Sequence, residues 1–135
     1  MTGERDLDAL LKSMKPEMLD GIFVFCTLAP GASIPAAINP LLTFREQEGT
    51  TLVILREKAE AAGLAHAFAS RLITLTVHSA LDAVGFLAAL TARLAAAGIS
   101  VNAVSAFHHD HLFVPVDRAD EAMALLREMS AGRMG

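Results

Sequence analysis

Three stretches of this sequence carry side chains whose types and spacing could do chemistry. The first is His108, His109, Asp110 and His111. Zinc takes three or four such ligands converging in a tetrahedron. In a strand or tight turn these imidazoles do not all point one way, although one alternating pair could. No second cysteine and no acidic cluster stands at ligand spacing. Set against a metal centre is a polar hairpin turn in which Asp110 bonds its own backbone, and no metal is assigned. The second stretch runs from Ser79 through Ala80, Leu81 and Asp82 to Gly85. Ser79 with Asp82 three residues on is a capping-box pattern, and a helix N-terminus offers unpaired amides to a carboxylate. Gly85 has no β-carbon and lets a ligand or a neighbouring backbone come close. The alternative is that Ser79 only caps and Gly85 only eases packing. The third is Asn102, alone in an apolar strand between Val101 and Ala103. Read as buried, its amide needs a partner, since leaving it unpaired costs about 1–3 kcal/mol. That partner is either a ligand or the Ser79 turn.

Nothing points to catalysis. There is no nucleophile elbow, no Ser–His–Asp spacing and no phosphate-binding glycine loop. Cys26 reads as buried and pairs with no nearby histidine in sequence. Arg45, Glu46 and Glu48 flank a turn closed by Gly49, either as a solvated hairpin end or as contacts to a polar ligand. The chain is therefore expected not to be an enzyme, and no cofactor is expected.

The elements that would position these residues follow from periodicity. Residues 72–77 alternate, with Ile73, Leu75 and Val77 on one face, so they read as a strand. A helix then runs from the Ser79 cap to Ala97, and Gly98 supplies a left-handed stop. Its side chains are apolar nearly all round, apart from Arg93 and the intermediate Thr91. Leu87, Leu90 and Leu94 can face a sheet, while Val84, Ala88, Ala92 and Ala95 are left to meet another helix or a second subunit. Residues 99–107 and 112–116 alternate again around the polar interruption. Asp117 caps a last helix whose buried stripe is Ala119, Ala122, Met123, Leu126 and Met129, and residues 131–135 are a frayed tail.

Upstream, Leu7, Leu10, Leu11 and Met14 form a helical stripe capped by Asp6 and ended by Pro16. Residues 21–28 make a strand apolar on both faces. Residues 29–40, with three prolines, form a loop long enough to raise the question of function. Residues 41–46 and 50–55 make a hairpin, residues 56–63 a helix, and residues 64–70 a link. The chain divides into 1–64 and 65–135. Mixed strands and helices in both parts give an α+β class, with helices packed on one face of antiparallel sheets.

Composition agrees with a folded domain. Of 135 residues, 53% are hydrophobic and 19% charged, ample for a core. A net charge of −4 with no basic stripe disfavours nucleic acid. A single cysteine gives no intrachain disulfide, and no apolar run approaches the ~20 residues that span a bilayer. No signal peptide is read, because charged residues follow the first methionine closely, and a cytoplasmic location is expected.

Three segments carry a family resemblance: TFREQEGTTLVI at 43–54, SALDAVGFLAAL at 79–90 and GISVNAVSAFHHDHLFVP at 98–115. They resemble ACT domains, and the whole chain resembles small bacterial proteins built from two such units in tandem. The first unit departs from the pattern, since it begins with a helix and lacks one between its first two strands. The resemblance implies a ferredoxin-like βαββαβ fold for each unit and a regulatory function: binding an amino acid or a similar small molecule. It implies a ligand site where the first strand of the second unit passes into its helix, at residues 78–85, with residues 98–102 alongside. Carrying no catalytic domain, such a protein would report to a separate partner. A homodimer is also expected, through the small-residue face of the residue 83–97 helix. The alternative is a ligand-free interaction or dimerisation module.

Overall fold

The structure is a computed structural model and describes residues 3–132. In chain order the elements are α1 (Leu7–Ser13), β1 (Pro16–Met18), β2 (Phe23–Leu28), β3 (Leu42–Arg45), β4 (Thr50–Leu55), α2 (Arg56–Ala61), β5 (Ala67–Leu75), α3 (Phe86–Ala96), β6 (Asn102–Ser105), β7 (Asp110–Pro115) and α4 (Ala119–Ser130). Single 3-10 turns lie at Ala36–Ile38 and Val116–Arg118. Of the expected tail, residues 133–135 lie outside the described residues. The chain forms two compact units, one of Gly21–Ser70 and one of Met1–Asp20 with Arg71–Gly135. They do not coincide with the chain halves 1–64 and 65–135, because α1 and β1 pack with β5 and the elements that follow it.

In the unit of residues 21–70, β2 pairs antiparallel with β4 along its whole length, and β4 pairs with β3. The first residues of β5 pair on the other side of β2, at Phe23–Ser70 and Phe25–Ala67. A bulge separates those two pairs, with Phe68 held at φ +59° and its ring edge-on to Phe25 at 5.9 Å. Extra residues in one strand are accommodated this way. The strand order is thus β3–β4–β2–β5. Where a crossover helix would follow β2, the proline-rich stretch supplies only the 3-10 turn, and Ile38 on it is buried with Val24, Cys26, Leu52, Ile54 and Ala59 of α2. The long loop is therefore in part a core element. Its prolines cannot continue a helix, and one buried isoleucine closes that side of the core.

The other unit has the corresponding order, β1–β5–β7–β6. Here the fourth strand comes from the N-terminal segment: β1 pairs antiparallel with the end of β5, with Glu17 opposite Thr74. β6 and β7 form a hairpin. α1, α3 and α4 share one core with the strands. Leu10 and Met14 of α1 meet Phe86, Leu90 and Leu94 of α3, Ile73 and Leu75 of β5, Leu112 and Val114 of β7, and the α4 stripe. That stripe is Ala119, Ala122, Met123, Leu126 and Met129, as its spacing predicts. The expected α+β class, antiparallel pairing and helix-covered sheet are all found.

Several local expectations change. Ser79 is not a helix cap. α3 starts seven residues later, at Phe86, with Gly85 as N-cap at φ +93°. Residues 79–85 do not join the helix, because Ser79 and Ala80 are bonded to the backbone of residue 4 and a separate turn closes from the Ala83 amide to the Ala80 carbonyl. Residues 67–70 are strand, not link. Asp117 lies in a 3-10 turn, and Arg118 stands at the head of α4 without a side-chain cap bond. Arg118 instead bonds Glu121 and the carbonyls of Ala97 and Gly98, fixing the end of α3. Asp6 caps α1 as expected, accepting the Ala9 amide at 3.0 Å.

Two outcomes follow. Leu10 and Met14 are fully buried within the unit that residues 71–135 complete. A fragment of residues 65–135 alone should therefore lack a cooperative urea transition, since removing even one such side chain costs about 2–5 kcal/mol. At the β3–β4 turn, Gly49 sits at φ +155°, and a β-carbon there would overlap the Leu28 carbonyl and stand 2.8 Å from the Thr27 hydroxyl. Gly49→Ala should lower the urea midpoint, by a stability loss of roughly 1–3 kcal/mol.

Candidate functional site

The part of the fold with the most site-like chemistry lies where β5 leaves the sheet. A cavity of about 50 Å³ there is lined by Ser79, Ala80, Leu81, Ala83, Phe86, Leu87, Ser105, Ala106 and Asp110. Its polar focus is Asp110, only 6% exposed. The Ser79 hydroxyl donates to Asp110 Oδ2 at 3.0 Å, and the Ser105 hydroxyl donates to Oδ1 at 2.5 Å. Both oxygens thus act as acceptors. Among the described residues no lysine, arginine or histidine nitrogen forms a salt bridge with it. Two hydroxyls solvate a carboxylate without neutralising it, and buried charge is ordinarily paired.

Opposite this group is the start of α3. The first intrahelical bond runs from Ala89 N–H to the Gly85 carbonyl. The amides of Phe86, Leu87 and Ala88 precede that pattern and carry the positive end of the helix dipole. Phe86 and Leu87 themselves line the cavity. The arrangement can hold a cationic group at Asp110 and an anionic one at the helix start.

The residues singled out in the sequence fare differently. Ser79, Ala80 and Leu81 are in the cavity wall. Asp82 and Gly85 belong to the same loop but do not line the cavity. Asp82 is instead engaged by Arg5, whose Nε and a terminal nitrogen donate to its two oxygens at 2.9 and 3.3 Å. That hydrogen bond is the main reason its carboxyl is held below the usual range. Asn102 is a correction: it is exposed on β6, opposite Phe113, and not part of the wall. β6 is the edge strand of its unit, so its polar amide meets solvent and needs no buried partner.

Asp110 and Ser105 are the residues that sequence reasoning missed. Asp110 is not a turn residue bonding its own backbone; the turn is residues 106–109, closed by Ala106 N–H to the His109 carbonyl. Asp110 opens β7 in phase with Leu112 and Val114, both core residues. That period of two was the available signal.

The histidines form a different group. The rings of His78 and His108 lie tilted at 56° with centroids 5.5 Å apart, and Phe107 stands edge-on to His108 at 5.0 Å. His109 Nδ1 lies 3.3 Å from the Val77 carbonyl, and His111 Nδ1 lies 2.9 Å from the Thr74 hydroxyl. Burial lowers the pKa of His111, the neighbouring His109 lowers it further, and Asp110 opposes both. Among the described residues no three histidine, cysteine or acidic side chains converge as a metal site would require. In the other unit, Cys26 is buried, which raises its thiol pKa and leaves it a poor nucleophile. Glu46 accepts the Thr51 hydroxyl at 2.5 Å across the exposed hairpin end. No helix among the described residues is long and apolar enough to cross a membrane.

Comparison with known proteins gives this geometry a family. ACT-domain models match residues 2–71 and residues 68–128. No curated protein matches the sequence. Among solved structures, a Vibrio cholerae protein of unknown function, described as a possible transport protein, is 46% identical. It superposes with a TM-score of 0.84, over 92% of this chain and 95% of that one. An Agrobacterium tumefaciens protein is 21% identical, with a TM-score of 0.75 over 87% and 89% of the two chains. The regulatory subunit of aspartate kinase from Thermus flavus shares the fold at 9% identity, with a TM-score of 0.59 over 87% of this chain and 96% of that one. With one model spanning more than half its length and a second taking up where the first ends, the chain belongs to the ACT-domain family and carries two ACT domains in tandem.

Proposed function

We propose that this protein is a non-catalytic regulatory module that binds a small zwitterion, an amino acid, at the cavity beside Asp110. One observation carries the reading: a buried carboxylate, held by two hydroxyls and lacking a cationic partner among the described residues, lines a cavity at the start of a helix. A ligand ammonium would supply the missing charge, and the ligand carboxylate would take the amides of Phe86 and Leu87. Ser79, Ala80 and Leu81 form the wall, and Gly85 at φ +93° lets the chain turn into the helix whose first amides face it. Asp82 stays with Arg5 in this scheme, and Asn102 takes no direct part. The regulatory subunits and domains of aspartate kinases that share the fold at low identity are consistent with such a role. A separate protein would receive the signal.

A second reading is an interaction module without a ligand. It draws on exposed apolar side chains near the same loop, Leu81 at 51%, Val84 at 85% and Phe107 at 62%, and on the exposed Ala88, Ala92 and Ala95 of α3. That face suits a homodimer.

Calorimetry with each of the standard amino acids separates the two. The first reading expects a saturable heat for at least one of them. It also expects Asp110→Asn to weaken that binding by roughly ten-fold or more, because a hydrogen bond to a charged group is worth about 1.5–3 kcal/mol. The isosteric amide keeps the shape of the wall, and an unchanged urea midpoint verifies that the loss is not one of folding. Absence of heat from every amino acid, with sedimentation as a dimer, favours the second reading.

A further inference from the structure

The cavity beside Asp110 is small. At about 50 Å³ it holds a few water-sized groups, whereas pockets that enclose small molecules run from about 300 to 1,000 Å³. A whole amino acid enters only if the wall moves, and the movable wall is the irregular loop of residues 79–85. What holds that loop is the N-terminal segment. Glu4 lies beside Ser79 as a parallel bridge. Its amide donates to the His78 carbonyl at 2.9 Å, and its carbonyl accepts the Ala80 amide at 2.8 Å. Gly3, at φ +102°, fits so closely that a β-carbon there would stand 2.8 Å from the Ala80 nitrogen and 2.9 Å from the Ser79 carbonyl carbon. Arg5 then clasps Asp82 with a two-point ion pair, both side chains about half exposed. The Glu4 carboxylate folds back to accept the amides of Arg5 and Asp6, which sets the shape of the segment itself. Leu7 reaches the far end of the loop, 3.7 Å from where a β-carbon on Gly85 would be.

We propose that residues 3–6 are a strap that clamps the 79–85 loop shut over the Asp110 cavity, and that ligand enters only when the strap lifts. The inference rests on the ligand site proposed above and adds its regulation. The strap holds the cavity wall itself, since the amide of Ala80, a wall residue, is given to Glu4. It is anchored behind by the buried Leu10 and Met14, so it can peel from the loop without α1 leaving the core. Its outer fastening, an exposed ion pair, is weak and screened by salt. A binding-competent state that is rarely populated lowers apparent affinity by its fractional population. Loosening the strap therefore raises affinity.

Two single substitutions in the full chain test this. Gly3→Ala forces the strap off the Ala80 backbone, and Arg5→Ala removes its ionic fastening. Amide hydrogen exchange reads the clamp without any ligand: the Ala80 amide should exchange faster in both variants, while amides of α4 keep the parent rate. Calorimetry with each standard amino acid reads the gate. Both variants should bind the amino acid that the parent binds more tightly, by about two- to ten-fold, and exchanging the two charges in an Arg5→Asp, Asp82→Arg pair should return exchange and affinity toward the parent. Unchanged Ala80 exchange in both single variants overturns the clamp. Faster exchange with affinity equal to or below the parent's overturns the gate and leaves the ligand site standing. No heat from the parent or either variant with any amino acid overturns both.

Discussion

The pairing of β1 with the end of β5 is the interaction on which the larger unit depends. Glu17 lies opposite Thr74, and the Leu19 amide reaches the Leu72 carbonyl at 2.9 Å. Without it the end of β5 presents an open edge beside a core that lacks Leu10 and Met14. Hydrogen bonds supply the register, and the two buried side chains supply the greater part of the energy, since each is worth about 1.5–3 kcal/mol of burial. The same N-terminal segment then continues to the Ser79 loop. One stretch of chain thus closes a sheet, fills a core and binds the backbone of a loop that lines a candidate site.

The two units express one strand order by different means. In the unit of residues 21–70 the fourth strand follows in sequence, as the first residues of β5, and the crossover helix has shrunk to a 3-10 turn around Ile38. In the other unit the crossover helix is present as α3, and the fourth strand is brought from the start of the chain. Both solutions satisfy one physical requirement: each sheet needs an apolar layer on one face and a partner for each inner strand edge.

Much of this was legible in the sequence where a long periodic pattern met no competition. The α4 stripe, the β4 strand and the α1 cap at Asp6 were all readable. What failed did so for local reasons. β1 is three residues long and opens with proline, too short to show a period. Residues 67–71, Ala-Phe-Ala-Ser-Arg, lack the aliphatic run that marks a strand, and a bulge breaks their alternation. Ser79 and Asp82 spell a capping box, but the backbone of residue 4 captures Ser79 and Ala80 first, and the spelling is overruled by a contact 75 positions away in sequence. The apolar neighbours of Asn102 suggest burial, and no local pattern says that β6 is an edge. Asp110 was the opposite error. Its place among histidines suggests a turn, while its phase with Leu112 and Val114 points inward.

The larger unit is discontinuous in sequence, and that has a consequence for synthesis. On the ribosome, residues 1–20 emerge before β5, β7 or α4 exist. They must wait through the making of residues 21–70, a delay of several seconds at about 5–20 residues per second. Residues 21–70 contain their own strands and core and are free to fold in that interval. A segment made before residues 21–70 thus finds its place only after them, and until then Leu7, Leu10, Leu11 and Met14 form an unshielded apolar stripe.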